Sequence, residues 1–185
     1  RGEKMVGYIV AAEAGSFNYK KVVARSGFSD GNFKGHIQAS TRTSDGYHCQ
    51  SDYQAKYLNG KLQYYLTDDS DLTFGFEVAD RKKDSHGTVT GVTQAATDPT
   101  SVEGRDYARM FDVKLQKYFL TFSKDFGENN NLLLNAYQFS DHTKYNSSPQ
   151  YFTAARVAVT DVDAYTVGHD YQQVQRGIKG ECESK

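Results

Sequence analysis

The sequence predicts an all-β fold, an antiparallel transmembrane β-barrel wall of about eight strands, from two observations. Polar and apolar residues alternate over long stretches, most clearly from Asn32 to Arg42. The connections between these stretches are alternately short and long. Strict alternation gives a strand one apolar and one polar face. Tight turns at one end of the strands and long loops at the other are typical of outer-membrane barrels.

The composition agrees with strands that contact both water and an apolar medium. Of the 185 residues, 38% are hydrophobic and 14% are aromatic, with 14 Tyr, 11 Phe and only 2 Pro. Tyrosine suits such a boundary because its ring is apolar and its hydroxyl is polar. The mean hydropathy is −0.70, and no run approaches the roughly 20 apolar residues of a membrane helix. The net charge of −1 gives no general attraction to nucleic acid.

The strands are predicted in order from the alternation and from the turn-forming residues between them. Their expected bounds are Lys4–Ala14, Tyr19–Phe28, Phe33–Thr43, Tyr57–Thr67, Leu72–Asp80, Asp106–Ser123, Asn131–Ser140 and Ala164–Arg176. Asp30-Gly31, after the second strand, is the strongest hairpin signal. In the sixth strand the phase is unclear after Lys117, which leaves a bulge or a different register open.

The lengths of the connections orient the predicted barrel. Short turns are expected at the periplasmic end, at Ser29–Asn32, Thr67–Asp71 and Lys124–Asn130. Long loops are expected at the external end, at Ser44–Lys56, Arg81–Gly104 and Asp141–Asp163. The first connection, Gly15–Asn18, is tight although it belongs to the external end.

The alternation also predicts which residues share a face. The lipid-facing set is Phe33, Ile37, Leu62, Tyr64, Leu66, Phe74, Phe76 and Val78. The set on the opposite face is Lys34, His36, Gln38, Lys61, Gln63 and Glu77. A register error of one residue would exchange the two faces of a strand.

Several short segments carry a family resemblance. They are Gly15–Asn18, Ser44–Tyr47 followed by Ser51–Tyr53, Leu58–Tyr64, Asp71–Phe74 and Val174–Glu181. In order and spacing they resemble the barrel of TonB-dependent outer-membrane receptors, closest in type to siderophore and cobalamin receptors. The resemblance spans nearly the whole chain.

This resemblance implies a barrel of about 22 strands closed by an N-terminal plug domain. Residues 1–181 would form the first third of that barrel without the plug, and 182–185 a tail outside the strands. It implies uptake of a metal chelate or a cobalamin-like ligand across the outer membrane of a Gram-negative bacterium. The expected partners are the lipid bilayer, that ligand and a TonB-type energy-transducing protein acting through the plug. No nucleic-acid partner and no cofactor are expected.

No catalytic constellation is visible, so the chain is not expected to be an enzyme. Aromatic and cationic residues near the external strand ends are the candidates for binding an anionic chelate. They are Arg42, Tyr47, Tyr53, Arg81, Arg105 and Tyr107. The alternative for a tyrosine at a strand end is an anchor in the aromatic girdle of a barrel.

Metal binding has weaker support in the sequence. His48 lies beside Cys49, near Asp45 and Asp52, without the regular spacing of a metal site. The oxygen-rich Ser44–Tyr53 loop offers ligands for calcium, with a solvated surface loop as the alternative. No metal site is therefore assigned, and a disulfide between Cys49 and Cys182 is left open.

Two other functions remain open at this point. A complete barrel of about eight strands would have a structural or adhesion role. A soluble antiparallel sandwich of about seven to nine strands would have a binding role. A ladder between the Val6 and Val167 regions would close the small barrel and contradict the receptor interpretation.

Overall fold

A computed structural model describes residues 6–48, 51–84, 91–100, 109–127, 130–147, 150–152, 158–160 and 166–184. The strands are β1 Gly7–Gly15, β2 Tyr19–Asp30, β3 Phe33–Ser44, β4 Tyr53–Thr67, β5 Ser70–Asp84, β6 Arg109–Phe126, β7 Asn130–Ser147, β8 Gln150–Phe152, β9 Ala158–Thr160 and β10 Thr166–Ser184. One short helix, α1, covers Val92–Thr97. None of the described helical residues form a helix long and apolar enough to cross a membrane.

Eight strands form one antiparallel meander sheet, in the order β1-β2-β3-β4-β5-β6-β7-β10. In the described ladders β8 and β9 pair with each other, within the last long connection. In the described ladders β1 pairs with β2 and β10 pairs with β7, so the sheet is open between β1 and β10. The all-β class and the eight antiparallel strands are confirmed, whereas the sheet does not close on itself into a barrel.

Short and long connections follow one another in the predicted order. Because each strand reverses the chain, alternate connections meet at the same end of a meander. The turns after β2, β4 and β6 are short and share one end. The longer connections after β3, β5 and β7 share the other end with the tight turn at 16–18. That tight turn holds two non-glycine residues in the left-handed region, Phe17 at φ 58° and Asn18 at φ 52°.

Several strands are longer than predicted. β4 begins at Tyr53, so the predicted loop before it ends too late. β5 continues to Asp84 and β7 to Ser147, so the predicted loops after these two strands begin too early. The expectation that 182–185 lies outside the strands is also wrong, because β10 runs to Ser184 and pairs Cys182 with Leu132. The extensions of β5 and β7 are mostly polar on both faces, so no hydrophobic alternation reveals their backbone pairing.

The bulge considered near Lys117 is absent. The β5–β6 and β6–β7 ladders run without a register shift along the whole of β6. Register shifts occur instead between Tyr65 and Thr67, and between Val167 and His169. The phase of β6 is unclear in the sequence because the apolar side chains change from one face to the other along a regular strand.

The registers divide the sheet into two faces, because residues opposite each other in a ladder point to the same side. The apolar face carries Phe33, Ile37, Leu62, Tyr64, Phe74, Phe76 and Val78. The polar face carries Lys34, His36, Gln38, Lys61, Gln63 and Glu77. The predicted sidedness is thus confirmed; Leu66 alone lies at the bulge, where the β4–β5 ladder gives it no partner.

The apolar face ends at one row of the ladder. The row through Val78 is the last with apolar side chains in most strands, and the next is Thr41, Lys56, Asp80, Lys114, His142 and Gln172. We call this next row the boundary row. The lower part of the sheet lies between it and the short turns. The upper part comprises the boundary row and everything beyond it, toward the long connections.

The sheet has almost no conventional core. In the part of the chain that the structure describes, the buried hydrophobic residues are Ala55, 0% exposed, and Ala79, 2% exposed, and both lie on the polar face. Large apolar side chains such as Leu62, Phe74 and Leu120 remain about two-fifths exposed, at 40%, 42% and 43%. Among the described residues, elements contact one another only as ladder neighbours, so none packs over the apolar face.

Glycines in the lower part let aromatic rings lie flat on the neighbouring strand. Phe76 lies over Gly60, Phe119 over Gly75 and Tyr137 over Gly177. Each ring occupies the space that a Cβ atom would take on the glycine. Such cross-strand aromatic–glycine pairs cover exposed backbone and help to fix the register.

Candidate functional site

The candidate site lies on the polar face, in the upper part of the sheet. Arg42 of β3 is opposite Ala55 of β4, and Ala55 is opposite Arg81 of β5. Neighbouring strands are about 4.8 Å apart, so the two arginine backbones are separated by roughly 10 Å. Ala55 is fully buried because the longer side chains around it extend over its methyl group. The register thus places two guanidinium groups on either side of one small residue.

Two tyrosines complete this group. Tyr53 and Tyr57 flank Ala55 along β4, and alternation along a strand places all three on the same face. The guanidinium carbon of Arg42 lies 4.5 Å from the centre of the Tyr53 ring, a cation–π contact. The Tyr53 and Tyr57 hydroxyls are 3.5 Å apart. We call Arg42, Tyr53, Tyr57 and Arg81 the Arg–Tyr cluster.

The cluster holds a donor without an acceptor. Nε of Arg81 is buried and has no hydrogen-bond partner among the described residues. Buried donors in folded proteins are nearly always paired, so an anion that reached this Nε would gain a hydrogen bond. A guanidinium supplies planar, paired donors that suit carboxylates and similar anions. The geometry therefore favours a small anion on this part of the polar face.

The electrostatics of the cluster are consistent with an anion site. Tyr53 lies beyond the apolar band, at the first position of β4. Burial raises the pKa of Tyr53, but hydrogen bonds from Tyr57 and Arg42 and the charges of Arg42 and Arg81 outweigh it and lower the pKa below its ordinary value. An excess of positive charge around a phenol has this effect. Two lysines lie nearby on the same face: Lys83 is opposite Tyr53, and Lys21, opposite Arg42, is paired with Glu13 at 2.9 Å.

The sequence-predicted site residues divide into three groups. Arg42, Tyr53 and Arg81 come together, although Arg81 lies on a strand and not in the predicted loop. Tyr47 lies apart in the β3–β4 connection, with its ring 5.3 Å from that of Phe17. Arg105 and Tyr107 lie outside the described residues.

Sequence reasoning missed Tyr57 and Ala55 as members of the site. The predicted fourth strand began at Tyr57, which left Tyr53 and Ala55 in a loop. The spacing Tyr53, Ala55, Tyr57 continues the alternation of β4 by four residues. This alternation of large and small residues was the available signal.

The β3–β4 connection gives no support to a metal site. Hydroxyls that were considered as calcium ligands are used by the backbone of the connection. Ser44 Oγ accepts from the Gly46 N–H at 3.1 Å, and Ser51 Oγ accepts from the His48 N–H at 3.1 Å. In the described residues no three His, Cys, Asp or Glu side chains converge. Cys49 lies outside the described residues, and Cys182 is a free, exposed thiol.

The fold and the cluster together are an open antiparallel meander with one exposed apolar face and an arginine–tyrosine group on the other face. No family model matches the chain, and no curated protein matches it.

Proposed function

We propose that this sheet is part of the wall of an outer-membrane β-barrel, with its apolar face in contact with lipid. The support is the exposure of that face. Large side chains such as Phe33, Leu62 and Phe74 lie side by side on it, each at least 40% exposed. A soluble protein rarely leaves so large an apolar patch uncovered, whereas a membrane barrel requires one.

The height of the apolar band supports the same proposal. On β5 it runs from Leu72 to Val78, and on β4 from Leu58 to Leu66. At roughly 3.4 Å a residue these segments are about 20 and 27 Å long. The apolar band of outer-membrane barrels is about 25 Å tall. The boundary row then lies where a hydrocarbon layer would end.

The two alternatives have less support. A sandwich needs a second sheet over the apolar face, and no described element packs there. A closed barrel of eight strands needs a ladder between β1 and β10, and the described ladders contain none. The open edges of β1 and β10 present unpaired backbone groups, which are not tolerated bare in lipid. We infer that further strands pair with both edges.

We further propose that the protein is a transport receptor for an anionic metal chelate, bound at the Arg–Tyr cluster. The observation that carries this proposal is the buried, unpaired Nε of Arg81 beside a second arginine. The cluster lies at the end of the sheet with the long connections, which is the external end in barrels of this kind. A receptor of the TonB-dependent type, driven by an energy-transducing partner, fits this position.

Ligand titration of the protein in phosphatidylcholine vesicles tests the receptor proposal. Ferric citrate serves as an anionic chelate and cyanocobalamin as a neutral ligand. We expect ferric citrate to bind, and Arg42→Gln and Arg81→Gln each to weaken binding roughly tenfold or more, the effect of one charge-assisted hydrogen bond. Lys82→Gln is the matched control, because Lys82 lies on the opposite face. Binding of neither probe, or equal affinity in all variants, would contradict the proposal.

A further inference from the structure

Four side chains surround one small residue in the middle of the Arg–Tyr cluster. Tyr53 and Tyr57 are four positions apart on β4, so their Cα atoms are separated by roughly 13 Å. Their hydroxyl oxygens are nevertheless only 3.5 Å apart. The two side chains therefore lean toward each other over Ala55, which is buried. Arg42 and Arg81 flank Ala55 from the two neighbouring strands.

Two phenol oxygens at this separation are able to share one metal ion. In an octahedral site with bonds of about 2.0 Å, neighbouring ligand oxygens are about 2.9 Å apart. The hydroxyls of Tyr53 and Tyr57 reach that separation by an approach of less than about 1 Å. A phenolate oxygen is a hard donor and suits a hard trivalent cation such as ferric iron, and tyrosine is an established iron ligand in proteins. The positive charge of the two arginines favours the phenolate form.

The arginines supply the other half of the site. Nε of Arg81 is buried and has no hydrogen-bond partner among the described residues. Guanidinium donors on both sides of the hydroxyl pair suit a carboxylate that is itself bound to the metal. Two phenolates and two guanidinium groups together carry no net charge. A ferric carboxylate complex bound between these four groups is therefore paired with charges of both signs, as buried charges require.

We propose that Tyr53 and Tyr57 coordinate the ferric iron of the chelate directly, while a carboxylate of the chelate binds the two arginines. The inference rests on the proposed receptor function and names the class of chelate: a ferric carboxylate with exchangeable ligands, such as ferric citrate. As each iron–phenolate bond forms, the phenol releases its proton to solvent, and a water or carboxylate oxygen leaves the iron. The iron remains ferric, so no electron is transferred. A chelate that holds every coordination position of the iron firmly does not fit this site.

Visible absorption of the protein, titrated with ferric citrate in phosphatidylcholine vesicles, tests this site. Iron–phenolate bonds give a distinct charge-transfer band in visible light, which ferric citrate in buffer does not show. We expect the band to appear on binding, to weaken in Tyr53→Phe and in Tyr57→Phe, and to be absent in the double variant. The affinity for ferric citrate should fall about tenfold or more in each single variant. Gallium citrate, which has the same charge and a similar ionic radius, should bind without the band.

Two further variants separate iron coordination from general effects. Ala55→Leu keeps both tyrosines and both arginines but fills the space between them, and should abolish the band. Tyr65→Phe is the matched control and should leave the band unchanged, because Tyr65 also lies beside a cation on the polar face, with Lys34 Nζ 4.6 Å from its ring centre. Binding of ferric citrate without a band, a band that persists in the double variant, or an equal band with gallium would overturn the iron site and leave the receptor proposal intact. Absence of ferric citrate binding would contradict both proposals.

Discussion

The lower and upper parts of the same strands have opposite patterns. In the lower part of β6 the apolar face carries Tyr118, Leu120 and Phe122. In the upper part that face carries Asp112 and Lys114, and the apolar side chains Phe111, Val113 and Leu115 have moved to the polar face. The ladder shows no register shift between the two parts. A regular strand therefore passes through two environments, and the side chains change while the backbone does not.

The charged side chains of the upper part pair along the ladder. Lys82 is 3.9 Å from Asp112, and Asp170 lies 3.4 Å from Lys144 and 2.7 Å from His142. Exposed pairs of this kind contribute little to stability in water. Their arrangement above the apolar band is what the layer of lipid headgroups and water would require. The comparison indicates that the surrounding medium explains the alternation of polar and apolar side chains better than internal packing does.

The largest expected effect comes from placing a charge in the lower part. Phe76→Arg should lower the free energy of unfolding by about 2–4 kcal/mol, because it introduces a cation into the apolar band and removes the ring over Gly60. Urea unfolding of the protein in vesicles measures this change in the free energy of unfolding. Gln54→Arg, in the upper part of the same face, is the control and should change stability little. Equal effects of the two substitutions would contradict the division into two parts.

A smaller effect is expected where an aromatic ring lies over a glycine in the lower part. Gly75→Ala places a methyl group in the space of the Phe119 ring and should lower the free energy of unfolding by about 1–3 kcal/mol through overpacking. The matched change is Gly15→Ala, where the nearest atom, Tyr19 Cδ1, would lie at an ordinary 3.5 Å. The same unfolding experiment compares them. No difference between the two variants would show that the ring moves aside freely.

The smallest effect concerns two carboxylates at the far end of the upper part. Burial, and then the charge of Asp52, raise the pKa of Asp84 above its ordinary value. A raised pKa means that the protonated form is favoured in the folded state, so stability is lost as the pH rises through the pKa of Asp84. Asp84→Asn should therefore stabilise the protein at neutral pH, by less than about 1 kcal/mol for a partly exposed pair.

The pH dependence supplies the check on Asp84. Unfolding followed from mildly acidic to neutral pH should show the advantage of Asp84→Asn growing with pH. An advantage that shrinks as the pH rises would contradict the assigned direction of the pKa shift.

The sequence was sufficient for the lower parts of β3, β4 and β5, but not for that of β6, where the phase after Lys117 was unclear. Every facing predicted on these three strands agrees with the ladder except at the bulge beside Leu66. The upper part was harder to predict, because residues such as Asp80, Arg81, Lys82 and Lys83 are charged on both faces. Without alternation, nothing in the residues distinguishes a paired strand from a loop.

The site depends on the register between neighbouring strands, and this register could not be read from the sequence alone. Arg42 and Arg81 are far apart in the chain, and each lies opposite Ala55 only because of the pairing of β3 and β5 with β4. Arg42, Tyr53 and Arg81 were selected for their position near strand ends, and the ladder brought these three together.

Contact of the apolar face with lipid is the central claim, and accessibility along β5 tests it most directly. Single nitroxide labels at Leu72, Phe74, Phe76, Val78, Asp80, Lys82 and Asp84, with both cysteines replaced by serine, are measured in phosphatidylcholine vesicles by electron paramagnetic resonance. Oxygen concentrates in the hydrocarbon and a nickel chelate in water. The account predicts that labels from Leu72 to Val78 are accessible to oxygen. Labels from Asp80 to Asp84 should instead be accessible to the nickel chelate. Access of the nickel chelate to all seven positions would contradict lipid contact.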